Sequence, residues 1–288
     1  MRSHFFAPLL FGLTLSLAAC GSTADDPAAS NSNVTPGGDS GTTPTTGTKF
    51  KTHVILGDSI SDGGGEAPFY YNLLDKNDDA KWPDATGKDF SALYGADIKI
   101  VKASKGGSKG QNLGSQISLI PATLEGPVLV TMTIGGNDVQ SALGALLTTG
   151  DDSKQRADFQ EFLDAAVAEL TKPDRFGPGV KVAVYMTNVY DPSDGNGNFT
   201  VAATGKKCPG ALAYFPAGRE TKPLLDPWDK IFTDVAAKYP GTKVVDLRSK
   251  YDGHGVAATD SWFVGDCIHP NAKGHDAIRD LFWEAVTK

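Results

Sequence analysis

Five short apolar runs rich in β-branched residues constrain this 288-residue chain more than any other feature. They occupy residues 53–57, 98–101, 128–134, 180–186 and 242–246, and the third is apolar but for Thr131 and Thr133 before it ends in Gly135-Gly136. Runs that are nearly continuous, rather than alternating with polar residues, predict strands buried on both faces, as in a parallel sheet. Helical patterns separate them. Residues 67–74 form one candidate, with Pro68 near its start. Residues 158–170 put Phe159, Phe162, Leu163, Ala166 and Val167 on one face, the spacing of an amphipathic helix. Residues 227–239 do the same with Trp228, Ile231, Phe232, Val235 and Ala236. Residues 270–286 close the chain with Pro270 at a first-turn position. Strands alternating with helices predict an α/β domain with helices on both sides of the sheet.

Not all of the chain belongs to that domain. Residues 1–19 combine a basic start at Arg2 with an apolar stretch too short to span a bilayer, and read as an export leader. Leu17-Ala18-Ala19-Cys20 follows and resembles the lipobox of bacterial lipoproteins. That resemblance implies lipidation of Cys20 and a membrane anchor; a plain secretory leader is the alternative. The next segment, to residue 48, is Gly, Ser, Thr, Pro, Asp and Asn with almost nothing apolar. Such a stretch cannot bury enough surface to offset its ordering entropy and predicts a tether. Residues 49–288 are the expected folded domain. The formal charge of −7 disfavours nucleic acid as a partner. With Cys20 assigned to the anchor, Cys208 and Cys267 remain. An even pair in an exported domain predicts a disulfide, against the alternative of two unrelated buried thiols.

Four short motifs fall where parallel sheets bind ligands, at the carboxyl ends of strands. Gly57-Asp58-Ser59 follows the first predicted strand, and a Ser there is presented at the sheet edge. Ala103-Ser104-Lys105-Gly106-Gly107 follows the second, where glycines let backbone N–H groups approach a ligand. Gly135-Gly136-Asn137-Asp138 follows the third, where an Asn amide can donate to a developing oxyanion. Asp266-Cys267-Ile268-His269 precedes the last helix, with a carboxylate and an imidazole three residues apart on one loop. Each motif alone is also a turn or a helix cap. The stretch after Asp191 invites a calcium reading, but an EF-hand needs Gly at its sixth position and Glu at its twelfth. Counted from Asp194 those are Phe199 and Gly205, so no metal site is predicted.

Taken together and in this order, the four motifs resemble the SGNH, or GDSL-type, hydrolase family over residues 52–288. The resemblance implies a flavodoxin-like three-layer α/β/α fold with a five-stranded parallel sheet, and cleavage of carboxylic esters without a cofactor. It implies Ser59 as nucleophile, His269 as base and Asp266 as the carboxylate that orients the base. It implies an oxyanion hole of the Ser59 and Gly106 N–H groups with the Asn137 side chain. Gly106 is aligned from Ala103 and Leu113, although Gly107 adjoins it and Lys105 stands where the family usually has Ser. His53, His254 and His275 are rival bases, but none sits in Asp-x-x-His.

The family spans lipases, thioesterases, acetylesterases and lysophospholipases, and fold alone does not choose among them. The expected partners are therefore small-molecule, lipid or glycan esters, with the membrane reached through the lipid anchor in a bacterial envelope. A non-catalytic glycan- or lipid-binding lipoprotein is the rival reading. The loop-like stretch 188–226, with Tyr190, Phe199, Tyr214 and Phe215, is expected to shape the acyl or alcohol pocket.

Overall fold

Strand β1 (Thr52–Gly57) is buried along its whole length, as its Val54-Ile55-Leu56 centre demands. It lies inside a five-stranded sheet in the computed structural model, which describes residues 47–95 and 98–288. The leader, Cys20 and nearly all of the expected tether lie outside the described residues. Three short helices follow β1: α1 (Ser59–Asp62), α2 (Tyr70–Asp75) and α3 (Phe90–Tyr94). Strand β2 (Lys99–Lys102) comes next, then α4 (Leu113–Ser118). Strand β3 (Val128–Thr133) leads into α5 (Gly136–Thr148) and α6 (Ser153–Thr171). Strand β4 (Val182–Thr187) opens into the Gly- and Pro-rich stretch, which holds a small antiparallel pair, β5 (Thr200–Val201) and β6 (Lys206–Lys207). The chain finishes with α7 (Lys222–Ala236), β7 (Thr242–Val245), α8 (Leu247–Tyr251) and α9 (Ala272–Thr287).

The large sheet runs β2-β1-β3-β4-β7, with every neighbouring pair parallel. The chain steps from β1 to one side for β2, then back across to β3. That reversal leaves a crevice at the carboxyl ends of β1 and β3. Side chains alternate across the sheet in period two. Val128, Val130 and Met132 join Phe159, Leu163 and Val167 of α6 and Trp228 and Phe232 of α7 on one face. Leu129 points the other way, into a cluster with Tyr70 and Leu74 of α2 and Ile278 and Phe282 of α9. Fully burying each such side chain contributes about 1.5–3 kcal/mol, so two helical layers follow from one sheet with two apolar faces. This is the α/β/α architecture and five-stranded parallel sheet expected from the sequence. Among the described residues no helix is long and apolar enough to cross a membrane.

Three local differences matter for the site. Helix α5 begins within the Gly135-Gly136-Asn137-Asp138 motif, where the sequence patterns place no helix, and buries Ala142, Leu143 and Leu146. Helix α7 begins at Lys222, five residues before the predicted start, with Pro227 inside it. The added turn carries Leu225 into the core and pairs Lys222 Nζ with Asp226 at 3.0 Å. These gains offset the one N–H that Pro227 cannot donate. Tyr214 stands out from the insertion, 83% exposed, while Tyr190, Phe199 and Phe215 are buried.

Candidate active site

Strand β1 ends at a glycine because β3 leaves no room for anything larger. Gly57 has φ +120°, and a Cβ there would lie 1.9 Å from the Thr133 carbonyl oxygen. The next residue, Asp58, donates its N–H to that same carbonyl at 2.8 Å. Its carboxylate turns down to cap α1, accepting the Ile60 N–H at 3.1 Å and the Thr133 hydroxyl at 2.9 Å. Asp58 is buried, and burial pushes its carboxyl up to about 7 despite those two bonds. The turn leaves Ser59 as the first residue of α1, half-buried at the crevice.

The loop before α9 reaches the same point from the far end of the chain. Its base is closed by the Val264 N–H donating to the His269 carbonyl at 2.9 Å and by a bridge between Phe263 and Pro270. Within it, Asp266 Oδ1 accepts the N–H groups of Ile268 and His269, both at 2.9 Å. Cys267 takes φ +64° to let the backbone turn this tightly, a conformation a non-glycine residue rarely adopts. Cys267 is bonded to Cys208 in the insertion, so a disulfide holds the loop at its strained residue. The Tyr190 hydroxyl donates to the Ile268 carbonyl from below.

The two segments meet through side chains. His269 Nδ1 lies 2.6 Å from Asp266 Oδ2, and His269 Nε2 lies 2.8 Å from Ser59 Oγ. Burial works against the ionised Asp266, but the His269 ring and the two N–H groups hold its carboxyl below the ordinary carboxylate range. Gly64 makes room for the ring: a Cβ there would come within 2.5 Å of His269 Cδ2. His275 is fully buried and bonds the Gly64 carbonyl at 2.9 Å through Nε2. Burial takes its pKa down to about 4. The other rivals are engaged elsewhere. His53 bonds the Thr131 hydroxyl at 2.8 Å, and His254 stacks on Trp262.

Asn137 sits in the first turn of α5, where its Nδ2 donates one hydrogen to the Ser108 carbonyl at 2.9 Å. An amide nitrogen carries two hydrogens, so a second remains for another acceptor. Gly106 lies in the turn after β2. Its N–H points to Asp62 Oδ2 at 2.8 Å and is already in use. Asp62 in turn pairs with Lys102 at 3.3 Å. Sequence reasoning also missed Gln116, a buried side chain on α4 that bonds Gly57 and Ser108 and so ties the first strand's tip to the glycine turn. A Gln on a short helix carries no motif, and only its long-range partners mark it.

The carboxylates of the 191–198 stretch are taken up by backbone N–H groups. Asp191 accepts from the N–H groups of Ser193 and Gly195, and Asp194 from those of Gly253 and Gly255. A cavity of about 100 Å³ opens beside Ser59 and Asn137, between α5 and the insertion.

The model of the GDSL-like lipase/acylhydrolase family matches residues 55–277 of this sequence. The chain belongs to that family. Solved structures similar to this GDSL-family protein include LAE5, described as an alpha/beta hydrolase enzyme from the metagenome of Lake Arreo. It matches with a TM-score of 0.52 and 21% identity, over 83% of this chain and 96% of that one. Phospholipase A1 from Streptomyces albidoflavus matches at 0.50 and 20%, over 81% and 98%. Axe2, an acetylxylan esterase from Geobacillus stearothermophilus, matches at 0.51 and 15%, over 84% and 97%. At these identities the likeness speaks for the shared fold. A search of curated protein sequences gives no significant match.

Proposed function

We propose that this GDSL-family protein is a serine hydrolase of carboxylic esters, with Ser59 as nucleophile, His269 as general base and then acid, and Asp266 as its orienting carboxylate. The observation that carries the reading is the 2.8 Å approach of Ser59 Oγ to His269 Nε2 across 210 residues of sequence. With Nδ1–H given to Asp266, the imidazole offers its Nε2 lone pair to the Ser59 hydroxyl. Oγ attacks the acyl carbonyl as its proton passes to His269. The carbonyl oxygen becomes an oxyanion, for which the Ser59 N–H and the free Asn137 amide hydrogen are the donors. His269 then gives its proton to the departing alcohol, leaving an acyl-Ser59 ester. Water, deprotonated by the same ring, releases the acid. We assign the third oxyanion donor to the turn at Gly106 and Gly107, with Gly107 favoured because Asp62 occupies the Gly106 N–H.

A fluorophosphonate probe tests this directly. Wild-type protein should be labelled at Ser59 and should hydrolyse nitrophenyl esters, while Ser59→Ala should do neither. Absence of labelling in folded wild-type protein would favour the rival reading, a binding protein on a hydrolase fold. We further propose, from the sequence, that Cys20 carries lipid and holds the enzyme at a bacterial envelope. Cys20→Ser should then move the protein from the membrane to the soluble fraction.

A further inference from the structure

We infer that the cavity beside Ser59 is an acyl-chain pocket that makes this protein selective for medium-chain acyl esters; the inference rests on the ester-hydrolase reading above. Its placement decides which half of an ester it takes. Ser59 and Asn137 line the cavity, whereas His269 does not. In an acyl transfer the leaving oxygen must face the ring that protonates it, and the oxyanion must face the Asn137 amide. The third substituent on the carbonyl carbon, the acyl chain, is the one left to enter a cavity bounded by Ser59 and Asn137. The alcohol departs towards the His269 ring, against which Gly64 packs.

The walls suit hydrocarbon. Helix α5 contributes Val139, Leu143 and Leu146, and the insertion contributes Phe199, Leu212 and Phe215. Apart from Ser59, Asn137, Gln140 and Thr187, the polar side chains of the lining are spent on the protein itself. Asp58 is held by Ile60 and Thr133, and Asn188 donates to Asp246 at 2.9 Å and accepts from the Arg248 N–H at 3.0 Å. Asp191 accepts from Ser193 and Thr221, and the Tyr190 hydroxyl is given to Ile268. A sugar ring placed here would lose its hydration and find few partners, which is costly. An alkyl chain loses nothing. The cavity measures about 100 Å³ on a scale where one water needs about 10–15 Å³, so it holds about seven to ten water-sized groups. That corresponds to an acyl chain of about eight carbons.

The test is a series of nitrophenyl esters from acetate to palmitate, run beside octyl acetate, which carries the same chain on the alcohol. We expect kcat/KM to rise by up to about fourfold per methylene to about eight carbons and then to flatten or fall. Octyl acetate should gain little over ethyl acetate. In Leu146→Trp, and in the milder Leu143→Phe, the octanoate-to-acetate ratio of kcat/KM should drop at least tenfold. A series that is flat or falls from acetate, a gain that follows the alcohol chain, or an unchanged ratio in both variants would overturn the acyl pocket while leaving ester hydrolysis intact. Hydrolysis of no ester, with no fluorophosphonate labelling of folded protein, would instead overturn the underlying reading.

Discussion

Gln116 grips both backbone groups of Gly57: its Oε1 accepts the Gly57 N–H and its Nε2 donates to the Gly57 carbonyl, each at 2.8 Å. The same Nε2 reaches Ser108 Oγ at 2.9 Å, and the Ser108 carbonyl receives Asn137. One buried amide thus joins the residue two before Ser59 to the residue that steadies Asn137.

Gln116→Ala should therefore act on stability and on turnover together. It leaves the buried Gly57 N–H without a partner, at about 1–3 kcal/mol, and takes one of two donors from the Gly57 carbonyl, which keeps the Lys105 N–H at 3.1 Å. Urea unfolding should register a loss of about 2–4 kcal/mol. Steady-state kinetics should register a fall in kcat larger than any change in KM, because the nucleophile and the amide lose their shared support. A variant with wild-type kcat would remove Gln116 from the support of the site.

Asn137→Ala should separate those two effects. Loss of one oxyanion donor lowers kcat by about 10²–10³-fold, or about 3–4 kcal/mol. The fold should lose only the modest bond to Ser108. A rate within a fewfold of wild type, measured on the preferred nitrophenyl ester, would take the amide out of the oxyanion hole.

The bridge between Cys208 and Cys267 closes a sequence separation of 59 residues. Its removal, by reductant or by Cys208→Ala with Cys267→Ala, should cost about 2–4 kcal/mol in unfolding free energy. Activity should fall as well, because Cys267 holds its strained turn between Asp266 and His269. A reduced protein with unchanged stability and full turnover would refute both parts.

Asp58 should make stability fall as pH rises. In the unfolded chain an Asp ionises at about 4. In the fold Asp58 keeps its proton until about 7. Between those values the folded state binds more protons than the unfolded one, so its contribution is complete below about 4 and is lost as pH climbs through about 7. His275 works with the opposite sign. Its folded pKa of about 4 lies below that of an unfolded His, so its contribution is present at neutral pH and is lost as pH drops towards about 4. In Asp58→Asn, which keeps the capping oxygen, only the first trend should vanish. Urea unfolding of both proteins from pH 4.5 to 8 checks this, and parallel curves would show that Asp58 ionises as freely in the fold as outside it.

The sheet was legible because a strand buried on both faces must be apolar at nearly every position, as Val128 to Thr133 is. The segments carrying Ser59, Asn137, Asp266 and His269 were legible because each follows a strand or precedes a helix that the same patterns predict. The exposed edge strand β2 was readable only from its two apolar residues. Helix α5 was hidden by Gly135 and Gly136, which signal a turn whether or not a helix follows. The direction of the Gly106 N–H was beyond reading, since Asp62 sets it from 44 residues away. Tyr214 and Phe215 look alike in a list of aromatics, yet one faces solvent and the other the cavity, a choice made by the short turn at Gly210–Tyr214.

Ser59 lies near the start of the described residues and His269 near their end. Synthesis from the amino terminus therefore delivers the hydroxyl long before its proton acceptor. On the proposed mechanism, a ribosome-bound or prematurely terminated product that stops short of residue 269 would carry the Ser59 hydroxyl without its base. On the proposed mechanism the same order makes the protein divisible in principle: a fragment ending before Asp266 and a separate carboxyl-terminal piece would each be silent alone, and turnover would report their reunion.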